Sequence, residues 1–238
     1  MVRVVGTKIK HYLIAISCVA AFFTVAFYAV NVSAAAPVGT VTYVSGPLFV
    51  KKADASVKAL SKNSVVEQGD VVITEKRTYA RIKFSDDSEV TLRPGSEFKI
   101  ESFSYEQAKP KEDKYSVELI KGGLRAISGH VGKRGDPDSY KMKTRAAVIG
   151  IRGTVFELRI CAGDCDGLAD GLYFFVAEGS IMVSNSTGSL TIGAGQYAYV
   201  KDFNAAPVML PGNPGIDLNL PNNFQQAGGC IARGSQCF

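Results

Sequence analysis

The chain contains no tryptophan and only two histidines, His11 and His130, among its 238 residues. Each shortage removes a class of function. His11 belongs to a basic N-terminal leader, which leaves His130 as the single imidazole for acid–base work. No serine sits in the glycine-x-serine-x-glycine sequence of a nucleophile elbow. Tryptophan-lined sugar platforms are excluded, although ten tyrosines remain. Sustained helical periodicity is almost absent, and so is a run of basic residues in the body of the chain. Of the 27 Lys and Arg, three (Arg3, Lys8 and Lys10) lie in the leader, which leaves 24 against 22 Asp and Glu, a balance of +2. Both signs are interspersed, with none of the clustered cationic stripe that a nucleic acid demands, so no nucleic-acid partner is expected.

The leader has a clear reading. Four basic or titratable residues precede an apolar run from Tyr12 to Val32, broken only by Ser17, Cys18, Thr24 and Asn31. That is the layout of a secretory signal, and Val32-Ser33-Ala34-Ala35-Ala36 offers small residues for cleavage after Ala34. The run is also long enough to stay as an uncleaved membrane anchor, since about 20 apolar residues span a bilayer. In either case the rest of the chain lies outside the cytoplasm, in the periplasm or secreted. Membrane contact is expected only through this segment, if it is retained. The expected organisation is residues 1–36 as signal or anchor helix, 37–203 as one β domain, and 204–238 as a largely disordered tail rich in Pro, Gly and Asn.

From Val38 to Val200, short runs of β-branched and aromatic residues alternate with Gly, Asp, Asn and Ser, which predicts an all-β domain. Ile82 and Phe84 alternate with Arg81 and Lys83, Asp86-Asp87-Ser88 makes a turn, and Val90 and Leu92 resume the pattern. One face of this strand pair covers a core and the other meets water. A weak recurrence, in which a strand meets a glycine and continues, appears at Tyr43–Val50, Glu118–Arg125 and Val176–Val183. Its uneven spacing predicts an irregular β-helix, a sandwich or a barrel-like stack in place of a regular solenoid. Two polar stretches, Ser104–Lys114 and Ser128–Lys141, read as exposed loops.

Four cysteines remain beyond the leader: Cys161, Cys165, Cys230 and Cys237. An oxidising compartment favours disulfides over a zinc site, whose usual spacing is absent. Two local bridges are expected, with crossed pairings as the alternative. Asp164, Asp166 and Asp170 share a glycine-rich loop, but the spacing of a calcium loop is broken, so no metal and no other cofactor is expected. Arg134-Gly135-Asp136 reads as a solvated turn before Pro137.

Several segments, in order, are similar to one family. Gly39-Thr40-Val41 leads through Gly46 to Gly69-Asp70-Val71-Val72-Ile73-Thr74, and then come Asp86-Asp87-Ser88 and Leu92-Arg93-Pro94-Gly95-Ser96-Glu97-Phe98. Thr144-Arg145-Ala146-Ala147-Val148-Ile149-Gly150-Ile151-Arg152-Gly153-Thr154-Val155-Phe156 is the most specific piece, and Glu178-Gly179-Ser180 and Gly193-Ala194-Gly195-Gln196 close the series. Together they resemble the FecR domain over about Val38 to Val200. Two positions depart from the family pattern: Asp87 replaces a glycine and Arg145 a common proline. The resemblance implies stacked β-strands in the periplasm. It does not extend to the cytoplasmic anti-sigma region of FecR sensors, because only eleven residues precede the apolar run.

Arg152, Gly153 and Thr154 are the candidate partner-binding residues, since an exposed guanidinium can pair with a carboxylate or phosphate. A structural role, with Gly153 bending the chain while Arg152 and Thr154 tie down neighbouring backbone, is the competing expectation. No catalytic residues are assigned and the chain is not expected to be an enzyme. The expected function is a non-catalytic binding or scaffolding module of the cell envelope whose partner is another envelope protein. An envelope signalling component working through a partner and a glycan- or peptidoglycan-binding protein are the alternatives.

Overall fold

The structure is a computed structural model, and it describes residues 36–134, 136, 138–216 and 220–221. The described residues fall within one compact unit. The expectations for the leader and for Cys230 and Cys237 lie outside them. No helix among the described residues is long and apolar enough to cross a membrane.

The fold is a single all-β sheet curled into a half-barrel. Its strands are β1 (Pro37–Val44), β2 (Leu48–Lys51), β3 (Val57–Leu60), β4 (Val65–Glu67), β5 (Val71–Thr74), β6 (Ala80–Phe84), β7 (Glu89–Leu92) and β8 (Glu97–Ser104). After a 3-10 turn at Pro110–Glu112 follow β9 (Lys114–Lys121), β10 (Gly123–Ile127), β11 (Tyr140–Lys143), β12 (Val148–Cys161), β13 (Gly171–Asn185), β14 (Gly188–Gly193), β15 (Tyr197–Val200) and β16 (Val208–Leu210). Strand pairing sorts them into two halves. One runs β4-β1-β6-β7-β10 and on through the later part of β12 and the earlier part of β13 to β15 and β16. The other runs β3-β2-β5-β8-β9-β11 and on through the earlier part of β12 and the later part of β13 to β14. All pairs are antiparallel except β9 with β11.

The chain crosses repeatedly between the halves, and the glycine recurrence in the sequence marks these crossings. Gly46 lies between β1 and β2, Gly122 between β9 and β10, and Gly179 within β13. At Gly122 a side chain cannot be accommodated: a Cβ there would stand 2.6 Å from the Ser96 Cα and 2.8 Å from the Gly95 carbonyl. The repeat is therefore one of corners, which is why it lacks the even period of a solenoid.

Alternation places one core between the halves. Ala80, Ile82 and Phe84 on β6 are buried while Lys83 is exposed, and Val90, Leu92, Phe98 and Ile100 are buried as their spacing predicts. Phe84 of the first half meets Phe103 and Tyr115 of the second, with ring centroids 5.6 and 5.2 Å apart. A second, smaller apolar cluster forms around Cys161, Tyr173 and Ile216.

Two expectations are corrected here. The first polar stretch is mostly exposed as expected, but the second is not an exposed loop throughout, since Ser128, Val131 and Ser139 are buried. Arg134 of the second pairs with the buried Asp113 at 3.1 Å, donates to the carbonyls of Glu106 and Gln107, and lies 4.7 Å over the Tyr105 ring. Ordered structure also continues past residue 203, because β16 pairs with β15 and Ile216 and Leu220 are buried. The prolines of this segment block a central ladder position but not an edge strand followed by an extended strap.

Candidate functional site

β12 and β13 cross between the halves side by side, and the candidate residues sit at this double corner. Gly153 has φ 61° and Gly179 has φ 74°, left-handed values that favour glycine. A Cβ on Gly179 would stand 2.4 Å from the Gly153 carbonyl oxygen, so the two bends nest without room for a side chain.

Thr154 locks the corner. Its hydroxyl donates to the Ser180 carbonyl at 2.8 Å, and its N–H donates to Ser128 Oγ at 2.8 Å. Its carbonyl accepts the Ser128 N–H at 3.0 Å, and the Gly153 N–H donates to the Gly132 carbonyl at 3.0 Å. The Ser128–Gly132 segment is itself seated on the Asp86 turn. The Asp86 carbonyl accepts the His130 N–H at 2.8 Å, and its carboxylate accepts the N–H groups of Ser88 and Val131. A Cβ on Gly129 would stand 2.2 Å from the Asp86 carbonyl oxygen. Asp87 has φ 65°, a left-handed value that favours glycine.

Arg152 behaves differently. It is exposed and, among the described residues, its side chain makes no hydrogen bond or ion pair. Its side chain thus ties down no neighbouring backbone among the described residues, whereas Gly153 and Thr154 are hydrogen-bonded into the corner. Arg152 borders a groove of about 280 Å³ lined also by Val131, Lys133, Asp136, Gly150, Ile151, Ser180, Met182 and Thr191. The Lys133 side chain passes over Gly153, its Cγ 3.9 Å from where a Cβ would stand, and its ammonium has no acid partner among the described residues. Gly150 leaves the strand bare, since a Cβ there would meet nothing within 4 Å. Met182, opposite Gly150 on β13, is 54% exposed.

The other candidate residues lie elsewhere. Cys161 and Cys165 form a disulfide at the far end of β12, with Cα atoms 5.5 Å apart. In the same loop Asp164 pairs with Arg159 at 2.9 Å and accepts the Ala162 N–H, while Asp170 accepts the Gly163 N–H. No group of three or more His, Cys, Asp or Glu is arranged to hold a metal among the described residues. Of Arg134-Gly135-Asp136, Arg134 is committed to Asp113, and Gly135 lies outside the described residues.

Sequence reasoning missed a buried charge network. Glu157 pairs with Arg93 at 3.0 Å and with Arg125 at 3.0 Å. Burial pushes its carboxyl above the ordinary range, against the pull of both guanidiniums. It also missed Lys133, Gly150 and Met182. Their only sequence signal was a glycine inside a strand and a methionine on an outward position.

Residues 70–182 match the family model described as "FecR protein". No curated protein matches the chain. Two crystal structures are similar, each described as "a putative anti-sigma factor from Parabacteroides distasonis ATCC 8503". The first is 15% identical with a TM-score of 0.46, and the second 14% identical with a TM-score of 0.44. Each alignment covers 60% of this chain and 59% of that one, so the chain spans about three fifths of the length of these structures. Gly153, Thr154 and the Asp86 turn all lie inside the matched residues, so it is residues 70–182 of the chain that are similar to a FecR domain.

Proposed function

We propose that this chain is a non-catalytic binding module of the bacterial cell envelope. It acts in the periplasm or at the cell surface, and it presents the groove at the Gly153–Gly179 corner to another envelope protein. The observation that carries this reading is Arg152: its neighbours Gly153 and Thr154 are taken up in holding the corner, while its guanidinium makes no hydrogen bond or ion pair among the described residues and borders an open groove. A rigid framework with a mobile charged group at its rim is how recognition surfaces are built on β scaffolds. The Cys161–Cys165 disulfide supports an oxidising compartment.

A photo-crosslinking residue placed at Met182 tests the reading in cells. The same residue at Lys76, exposed at the corner between β5 and β6, serves as the control. A discrete adduct formed from Met182 and not from Lys76 is expected. Equal labelling from both positions, or none from Met182, overturns it. The FecR match favours a second, compatible reading, in which the module takes part in envelope signalling through its partner. Deletion of the gene is then expected to change envelope-stress or uptake transcripts, and unchanged transcripts dismiss signalling.

A further inference from the structure

The groove has a definite chemistry. Two cations, Lys133 and Arg152, line it without acid partners among the described residues, and the Lys133 side chain passes over Gly153, the residue that follows Arg152. The third cation nearby, Arg134, is consumed by Asp113. The one carboxylate in the lining, Asp136, accepts the Asp138 N–H at 2.9 Å. Between these charges and β14 lies an apolar stretch in which Met182 is exposed and Gly150 contributes no side chain. The groove thus offers two positive charges at one end and a vacant apolar trough beside them.

Resting on the binding-module reading, we propose that the groove takes a segment of a partner polypeptide carrying an acidic side chain next to an apolar one. The carboxylate bridges Arg152 and Lys133, as the planar guanidinium fork suits a carboxylate. The apolar side chain lies over Gly150 against Met182, a thioether that adapts to varied shapes. Charge complementarity and groove size both favour this occupant. An anionic lipid surface calls for a broad cluster of four to eight basic residues, as a rough guide. Here the lining offers only Lys133 and Arg152 as uncommitted cations, and Asp136 shares it with them. A sugar ring would need an exposed aromatic platform, and the one aromatic residue of the lining, Tyr140, is buried.

The test pans a random heptapeptide library displayed on phage against the chain as purified from the envelope and against its Arg152→Gln variant. Enriched sequences are expected to carry Asp or Glu adjacent to Leu, Met or Phe, and Arg152→Gln is expected to erase that enrichment. A synthetic peptide of the enriched sequence should bind about tenfold more weakly when its acid is replaced by the amide, the factor for one lost charge-assisted hydrogen bond. Gly150→Leu should abolish binding without lowering the melting temperature, because the position has open space and no left-handed backbone. Enriched peptides without acids, equal enrichment on Arg152→Gln, or undiminished binding to Gly150→Leu each overturn the proposal. Saturable binding to phosphatidylglycerol vesicles in place of peptides would assign the groove to lipid headgroups. If the Met182 cross-link persists while peptides bind without regard to charge, this inference fails and the binding-module reading stands. If the cross-link is absent as well, both fail.

Discussion

Arg152 and Thr154 stand two positions apart in one signature and have opposite environments. Thr154 is 1% exposed and holds β13 through its hydroxyl, whereas Arg152 is exposed and unpaired among the described residues. Replacing Thr154 with Val keeps its shape and removes one buried hydrogen bond, so it should lower unfolding free energy by about 1–2 kcal/mol. Arg152→Ala should stay within about 0.5 kcal/mol of the parent, as a surface substitution that breaks nothing. Urea denaturation of the two variants reads the difference directly. Equal losses would return Arg152 to a structural role and weaken the case for the groove.

Adjacent strands show how position decides what a glycine does. In β13, Gly179→Ala adds a Cβ against the Gly153 carbonyl at a backbone angle suited to glycine, and the loss should be about 3 kcal/mol. In β12, Gly150→Ala meets nothing and should be neutral or stabilise by about 0.5 kcal/mol, since alanine restricts the unfolded chain more. Chemical denaturation of both variants tests the contrast. A different link joins β8, β9 and β11. Glu101 accepts the Ser116 hydroxyl at 2.8 Å and pairs with Lys143 at 2.7 Å, spanning the one parallel pair in the sheet. Lys143 holds the Glu101 carboxyl below its ordinary value of 4.5, mainly through the hydrogen bond. A depressed folded-state value makes the ionised carboxylate stabilising above about pH 4.5. That contribution fades as pH falls through the lowered value. Lys143→Met should therefore cost about 0.5 kcal/mol near neutral pH, a value discounted for partial exposure, and much less in strong acid. Denaturation midpoints of parent and variant, compared across that window, give the result; a gap that does not close in acid would remove the pair as the cause.

The half-barrel carries a second layer of order on its outer face. Ile216 packs against Cys161 and Tyr173, with Leu210, Tyr197 and Tyr199 around them, and the Tyr173 and Tyr199 rings lie 4.8 Å apart. The Cys161–Cys165 disulfide closes the loop at the end of β12 that borders this cluster. Replacing both cysteines with serine should lower stability by about 2 kcal/mol, the loop-closure value for so short a loop. Amide exchange in β15 and β16 should rise with it, while the β6–β7 pair should be unaffected. Uniformly raised exchange would mean that the strap and the main sheet unfold as one cooperative unit.

Period-two patterns were readable without coordinates because they depend on neighbours in the chain. Ile82 and Phe84 had to face the opposite way from Arg81 and Lys83, so the strands, the inward residues and the all-β class followed from order alone. The corner glycines were visible for the same reason, as local demands on the backbone. The close pair Cys161 and Cys165 was readable too, since four positions along the chain keep two thiols within reach. The meaning of those glycines was hidden, because whether a bend belongs to a solenoid or a curled sheet depends on which distant strand lies beside it. The split between Thr154 and Arg152 was hidden likewise: Ser128 and Ser180 come from distant parts of the chain to meet the threonine, and among the described residues no group comes to the guanidinium. Burial of the Glu157 network and the strap under Ile216 also needed the fold, since a charge or a proline-rich segment looks solvated until distant side chains cover it. Local sequence set the strands and their inner faces; long-range packing set which signature residues hold the scaffold and which one is left exposed.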